Sequence, residues 1–505
     1  MSNSISSELC QQVGELLNVG IALSAEKDHN RLLEMILSEA RKLTGADAGT
    51  LYLVEDETLA FRIIQNDTLG IFKGGRREAI ALPPVPLSKE NVSAYVAMTR
   101  EQVNIEDVYN SDLFDFTGPQ RYDEMTGYRT KSMLVLPLVD HENDIIGVLQ
   151  LINAKDAVGS IVPFAPHLTK VVASLASQAA IALTNMYFIH DIEDLFNSFV
   201  QVMATAVDAQ TPYNANHTRR VAQFSEALAR AVNEWEGDGF WGAQIFDRDR
   251  MTQLIMAAWL HDIGKITTPL EIMNKATRLD KKAGEVMARL ELAKSNARCN
   301  YYKELFLAKS DEARQDIKKR FARRFCRLAQ ISTDIARADD PTTHVDAVFA
   351  RSLAGIAEIT TTSGKYPGIP LLSSEELEDL TVPRGTLTQK ERQIIEDHVV
   401  MTGKMLEKMP FIKKLKDVPV FAAMHHELLD GNGYPCGLCN GDIPAEARIL
   451  AMVDVFEALT AVDRPYKKPI SPEKALNILQ AMAVEGKLDG ELLEIFRQSR
   501  AWEAM

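Results

Sequence analysis

Five of the chain's ten histidines occupy positions where imidazole and carboxylate chemistry can converge: His217, His261, His398, His425 and His426. The segment Leu260-His261-Asp262-Ile263-Gly264-Lys265 closes the apolar run Leu254 to Leu260, so an imidazole and a carboxylate share one helix end. A carboxylate there can bridge two cations, and Lys265 supplies a further positive charge after the glycine turn. His425 and His426 are adjacent, and neighbours on a helix diverge by ~100°. They can serve one centre only if it lies at the helix end, and Asp430-Gly431-Asn432-Gly433 is a tight-turn sequence that fits such an end. Asp454 sits on an otherwise apolar stripe, where an unpaired carboxylate is costly to bury and metal ligation removes the cost. Mixed His and carboxylate ligands suit first-row ions such as Fe or Mn rather than an all-sulfur structural zinc site. The other histidines, His29, His141, His167, His190 and His344, lack such company and are expected at the surface or in packing.

These residues need a scaffold, and 505 residues predict two or three cores, since domains run to ~100–200 residues. The hydrophobic share of 46% and charged share of 25% are those of a globular protein. A net charge of -14 argues against a broad nucleic-acid or anionic-membrane footprint, so no DNA or RNA binding is expected and an anionic substrate must meet locally placed cations. Five cysteines give no disulfide framework and suit a reducing cytosol. Met1-Ser2-Asn3-Ser4 opens no signal peptide, so a cytoplasmic location is expected. Val171 to Ile189 carries no charge, but Ser174, Ser177, Gln178, Thr184 and Asn185 dilute it, and no membrane span is expected.

Along the chain, Leu32, Leu33, Ile36, Ala40 and Leu43 recur at helical spacing and stop at Gly45. Gly49 to Val54, Leu59 to Ile64, Met133 to Val139 and Ile145 to Ile152 read as strands, the last two paired around His141-Glu142-Asn143-Asp144. The strand pair Leu134-Pro137 and Gly147-Val148-Leu149-Gln150-Leu151-Ile152-Asn153 resembles a GAF domain. That resemblance implies an α/β sensor over residues 1–165, an antiparallel sheet flanked by helices, with an unidentified ligand. Asn153, Lys155 and Phe164 match part of the signature of nucleotide-binding GAF domains, but Pro166-His167-Leu168-Thr169 supplies no acidic pair.

No Pro or Gly interrupts the chain from Pro166 to Pro212, which predicts a long helix, with 166–205 as a signalling linker. Leu168, Val172, Leu175, Ala179, Ala182, Met186, Ile189, Phe196, Val200 and Met203 form a three-and-four seam, which predicts a parallel coiled-coil homodimer. The alternative is packing of that helix on its own sheet.

The C-terminal motifs resemble the HD-GYP family of HD-superfamily phosphohydrolases. The match rests on Asn216-His217-Thr218-Arg219-Arg220-Val221, His261-Asp262-Ile263-Gly264-Lys265, His398 with Gly403, His425-His426-Glu427, Gly433-Tyr434-Pro435 and Asp454. The resemblance implies an all-α HD-type domain over 206–505 and a phosphodiesterase that opens cyclic di-GMP to linear pGpG, with further cleavage to GMP left open. It assigns one metal to His217, His261, Asp262 and Asp454, and a second to Asp262, His398, His425 and His426. Asp262 and Lys265 then carry catalysis, and Lys265, Arg464, Lys467 and Tyr434 hold the substrate. Tyr213 stands where members with a third metal carry Glu, so two divalent ions are expected and the second cleavage should be slow. Cys436 and Cys439 are read as incidental thiols. An insertion from about 280 to 384 separates the His-Asp motif from His398; its first half reads as helix and Thr360 to Pro370 as loop. Two other readings stay open: a phosphohydrolase acting on another nucleotide such as cyclic GMP-AMP, and a catalytically silent dinucleotide receptor.

Overall fold

The computed structural model describes residues 14, 16–210, 216–363, 366–461 and 469–503, and the chain divides into two compact units, Met1–Phe196 and Asn197–Met505. The first is built on an antiparallel sheet in the order β3-β2-β1-β7-β6-β5. Its strands are β1 (Ala46–Glu55), β2 (Thr58–Asn66), β3 (Ile71–Gly74), β4 (Val85–Pro86), β5 (Val103–Ile105), β6 (Met133–Val139), β7 (Ile145–Lys155) and β8 (Ile161–Val162). Short β4 pairs with β2 and β8 with β7. Both faces are covered. Leu134, Leu136 and Leu138 of β6 join one core with helix α1 (His29–Thr44), whereas Met133 and Val135 join the other with α2 (Val92–Thr99). That alternation follows from the two-residue period of a strand. Helix α1 ends as expected, because Gly45 takes the left-handed conformation (φ 67°) and its N–H caps the Arg41 carbonyl. Asn153 is buried, accepts from Lys131 N and donates to the Arg129 carbonyl, while Phe164 lies in the core and Lys155 pairs with buried Asp47. Each of these matches to the nucleotide-binding signature thus has a partner or packing role within the fold.

Two helices follow α2, α3 (Thr117–Thr126) and α4 (Pro166–Gln210), and residues 197–210 of α4 count with the second unit. Helix α4 is long and apolar enough to cross a membrane by length and composition. Its Val172, Leu175, Ala176, Ala179, Ala180 and Leu183 are core residues of the sheet unit. Part of the expected seam is taken up inside the unit, which is the packing alternative, while Ile189 of that seam is exposed. Val172, Leu175 and Ala179 are used inside the unit, with Ala182 and Met186 against the same core. The face left open carries Ile181, Phe188, Ile192, Leu195, Phe199 and Val202, between 44% and 71% exposed. A helix with two apolar faces satisfies a three-and-four pattern on either, and the periodicity alone does not say which one the sheet takes.

Among the described residues the second unit is helical apart from one hairpin. Its elements are α5 (His217–Asn233), α6 (Arg248–Leu260), α7 (Ala283–Leu307), α8 (Asp311–Asp339), α9 (Ala347–Ala357), α10 (Ser374–Leu380), α11 (Gln389–Leu406), α12 (Val418–Ala423), α13 (Ala445–Thr460), α14 (Pro472–Val484) and α15 (Gly490–Ser499). Strands β9 (Thr360–Ser363) and β10 (Tyr366–Pro370) pair antiparallel where a loop was expected. The run Ile359-Thr360-Thr361-Thr362 is β-branched throughout and favours a strand, whereas Pro367, Gly368 and Pro370 had argued for a loop. Helices α7, α8, α9 and α10 share a core of Val286, Leu290, Leu328, Ile331, Leu353 and Leu380. Lys275 ties this region to α11, bonding Asp379 and Glu391 at 2.9 Å.

Candidate metal centre

All seven residues expected to bind metal converge in the second unit. His217 opens α5, directly after Asn216, whose φ of 72° turns the chain into the helix. His261 caps α6 and Asp262 begins the 3-10 turn Ile263–Thr267, so the apolar α6 delivers both to its buried end. Gly264 is required there, since a Cβ would stand 2.0 Å from the His398 carbonyl oxygen. The Gly264 N–H donates to Thr402 Oγ1 (3.0 Å), which in turn donates to the His261 carbonyl (3.0 Å), locking the turn onto α11 and thus beside His398. His425 and His426 lie just past α12, beyond the helix end as their adjacency requires. Asp454 comes from α13, whose Phe456 packs against Phe496 and Trp502.

Asp262 is the hub. Its Oδ2 lies 3.2 Å from His261 Nε2, 3.5 Å from His217 Nε2 and 2.5 Å from Lys265 Nζ. Its Oδ1 faces the other way, 3.3 Å from His398 Nε2 and 3.9 Å from His425 Nε2. Asp454 spans the same gap, with Oδ1 3.3 Å from His217 Nε2 and Oδ2 3.9 Å from His426 Nδ1. Two ligand clusters suited to metal ions result, His217–His261–Asp262 and His398–His425–His426.

The donor atoms fit cations. In His261, His398 and His425, Nδ1 bonds the carbonyl three residues earlier, at Ala258 (2.7 Å), Ile395 (2.5 Å) and Ala422 (2.7 Å). A carbonyl accepts only, so Nδ1 carries the proton and Nε2 presents a lone pair. Those three Nε2 atoms and Asp262 Oδ1 are buried without a hydrogen-bond partner, a costly state that a bound cation relieves. His217 follows the same rule through a side chain: its Nδ1 bonds Glu457, which also accepts from Arg220 Nε at 2.7 Å. Glu457 was absent from the residues expected to matter, yet it stands one turn after Asp454 on the same helix face, a spacing that could have found it.

Charge states suit the same role. Burial pushes His425 well below the ordinary histidine value, reinforced by His426 and His261, and lowers His426 to about 4. Burial alone would raise Asp262 and Asp454, but the surrounding imidazoles, with Lys265 beside Asp262, hold both well below the usual carboxylate range. His217 is the exception: burial opposes its protonation, but Asp262, Asp454 and Glu457 prevail and raise it, so a cation at its Nε2 has to displace a proton. The centre is reached from the side of Lys265, His426 and Asp454, whose side chains are 21%, 25% and 14% exposed while those of His217, His261, His398 and His425 are closed off. Tyr434 lines that side, its ring 4.8 Å from that of His426. Gly433 permits the turn, since a Cβ there would meet Leu428 N at 2.2 Å. Glu427 holds the following loop by accepting from Cys436 N (2.7 Å) and Leu438 N (2.8 Å). Arg464, Lys467 and Tyr213 lie outside the described residues.

Residues 28–183 match the GAF domain family, and 214–333 and 316–492 match two families described as HD domain. The chain is a GAF-domain and HD-domain protein. The chain is similar to 3'3'-cGAMP-specific phosphodiesterase 1 of Vibrio cholerae, 35% identical over 118 residues, which is 23% of this chain and 26% of that protein. It is similar to the cyclic di-GMP phosphodiesterase of Thermotoga maritima, 30% identical over 128 residues, 23% and 34% of the two chains. It is also similar to the cyclic di-GMP phosphodiesterase response regulator RpfG of Xanthomonas campestris, 38% identical over 97 residues, 19% and 25%. The matches thus span about a quarter to a third of the length of these relatives.

Proposed function

We propose that the HD-type unit is a metal-dependent phosphodiesterase of the HD-GYP type that opens a cyclic dinucleotide, cyclic di-GMP or 3'3'-cGAMP, under the control of the GAF unit and its ligand. The observation that carries this reading is the division of Asp262, one oxygen toward His217 and His261 and the other toward His398 and His425. His217, His261, Asp262 and Asp454 would hold one divalent ion, and Asp262, His398, His425 and His426 the other, with Fe or Mn suited to the donors. Such ions supply a water nucleophile at neutral pH and Lewis acidity toward phosphoryl oxygens. Lys265, partly exposed beside Asp262, offers its ammonium to a phosphate oxygen that gains charge as the ester breaks. Tyr434 provides an aromatic face at the open side of the centre, suited to a nucleobase. Arg464 and Lys467 remain our candidates for the substrate's phosphates, and Tyr213 for the residue that limits a second cleavage.

The substrate is left at the class because relatives named for both dinucleotides match this chain. Chromatography of reactions on cyclic di-GMP and 3'3'-cGAMP, with guanosine tetraphosphate as control, tests the reading. A linear dinucleotide from at least one cyclic substrate is expected, while binding without turnover would identify a receptor. We further infer a parallel dimer through α4, on the exposed stripe Ile181, Phe188, Ile192, Leu195, Phe199 and Val202, whose steps of seven, four, three, four and three are those of a coiled-coil seam.

A further inference from the structure

Helices α7 and α8 form a hairpin whose two halves differ. Near its base, Val286, Leu290, Ala293 and Ala297 of α7 pack on Leu328, Ile331, Ile335 and Ala338 of α8 within a larger core. Toward the tip, Tyr301 stacks on Phe321 at 4.4 Å, Arg298 covers Phe325 at 4.9 Å and Arg320 pairs with Glu304 at 2.9 Å, which fixes the register of the two helices. At the turn between them Phe306 is 89% exposed, with Leu307 and Tyr302 about two-thirds exposed. Isolated apolar residues on a surface need no explanation, but three large ones at the end of a projecting hairpin form a patch.

The same tip is strongly basic. From Arg298 to Arg327 there are ten Lys and Arg against four Asp and Glu, in a chain whose net charge is -14. Among the carboxylates, Glu304 and Asp316 are engaged by Arg320, and Asp311 faces Arg314 at 3.8 Å. Lys309, Lys318, Lys319, Arg323, Arg324 and Arg327 are exposed and have no carboxylate partner among the described residues. The register sets Lys318 and Lys319 within about a turn of Phe306.

We propose that the α7–α8 tip is a peripheral docking surface for an anionic lipid bilayer, with Phe306 and Leu307 entering the boundary between headgroups and acyl chains and the cations meeting lipid phosphates. Charge complementarity selects an anionic partner, and the apolar end selects a bilayer over a nucleic acid. Contact with a nucleic-acid backbone needs the cations alone, whereas a membrane interface also takes up the large apolar side chains of Phe306 and Leu307.

The test is co-sedimentation of the full chain with vesicles of phosphatidylcholine, or of phosphatidylcholine and phosphatidylglycerol in equal parts, at low and high salt. Binding to the anionic vesicles alone, weakened by salt, is expected. Lys318→Gln/Lys319→Gln/Arg323→Gln should lower partition by about a hundredfold, at about fivefold per cation. Phe306→Ser/Leu307→Ser, at unchanged charge, should lower it about tenfold or more. These side chains are solvent-facing, and circular dichroism of each variant checks that the helices persist. No sedimentation with anionic vesicles at low salt overturns the proposal, as does binding indifferent to either variant. Tighter binding to duplex or single-stranded DNA than to vesicles overturns it in favour of a nucleic-acid surface.

Discussion

Asp262 Oδ1 lies 3.3 Å from Nε2 of His398, whereas the other oxygen of the same carboxylate faces His261 and His217. One side chain therefore faces both ligand clusters, and its loss should not resemble the loss of a single imidazole. We expect protein purified anaerobically to hold about two transition-metal ions per chain, in keeping with two-metal hydrolytic sites. His398→Ala should lower that content toward about one, and Asp262→Asn should lower occupancy of both positions. Elemental analysis decides it, and two ions retained in Asp262→Asn would contradict the shared carboxylate.

Glu457 should behave as a positioning residue. It fixes the proton on His217 Nδ1 and is itself held by Arg220. Glu457→Gln keeps the shape but loses the charge, and removal of such partners costs about 10–100-fold in metal affinity or activity. The check is a metal titration alongside turnover at saturating metal. A weaker metal affinity with turnover largely restored by excess metal is the expected pattern.

The faces of α4 make opposite predictions. Leu175 is buried against the sheet core, so Leu175→Glu should destabilise the first unit by more than about 4 kcal/mol, as buried unpaired charges do. Ile192→Glu and Phe199→Glu lie on the open stripe and should leave thermal unfolding of that unit unchanged while shifting the sedimentation coefficient from dimer to monomer. A wild type that sediments as a monomer removes the seam.

Much of this was legible in the residues themselves. Gly45 marked the end of α1, the β6 and β7 runs were placed nearly to the residue, and six of the seven metal-ligand candidates lie together in two clusters. The failures share a physical cause, which is that the pattern underdetermines the partner. The α4 periodicity did not say which of two apolar faces the sheet takes, and Pro and Gly masked the β-branched run that makes β9. Glu457 escaped because its importance comes from His217, 240 positions away in the chain. The net charge of -14 hid the basic α7–α8 tip, since a sum over the chain erases a local concentration of cations.

Acid should loosen the region around α10. Burial would raise Glu376 and Glu391, but Arg289 and Lys275 respectively, with the bonds of each carboxylate to its helix N-cap residue, hold both below their ordinary value of 4.5. A carboxylate whose folded pKa lies below its unfolded one contributes stability that is present above the unfolded value and lost as pH falls through the folded one. Urea midpoints should therefore be flat near about pH 6 and fall below about 4.5. Glu376→Gln/Glu391→Gln should start lower and show a shallower fall across that acid window. An unchanged slope would place the acid sensitivity elsewhere.

The most direct test of the central claim is a time course of cyclic di-GMP and 3'3'-cGAMP breakdown by protein reconstituted with Fe or Mn, run beside Asp262→Asn. The account predicts metal-dependent appearance of a linear dinucleotide from at least one substrate, slowed by about a hundredfold or more in Asp262→Asn. Protein that carries two ions yet leaves both cyclic dinucleotides intact, or an Asp262→Asn variant that turns over as fast as the unmodified chain, would contradict it.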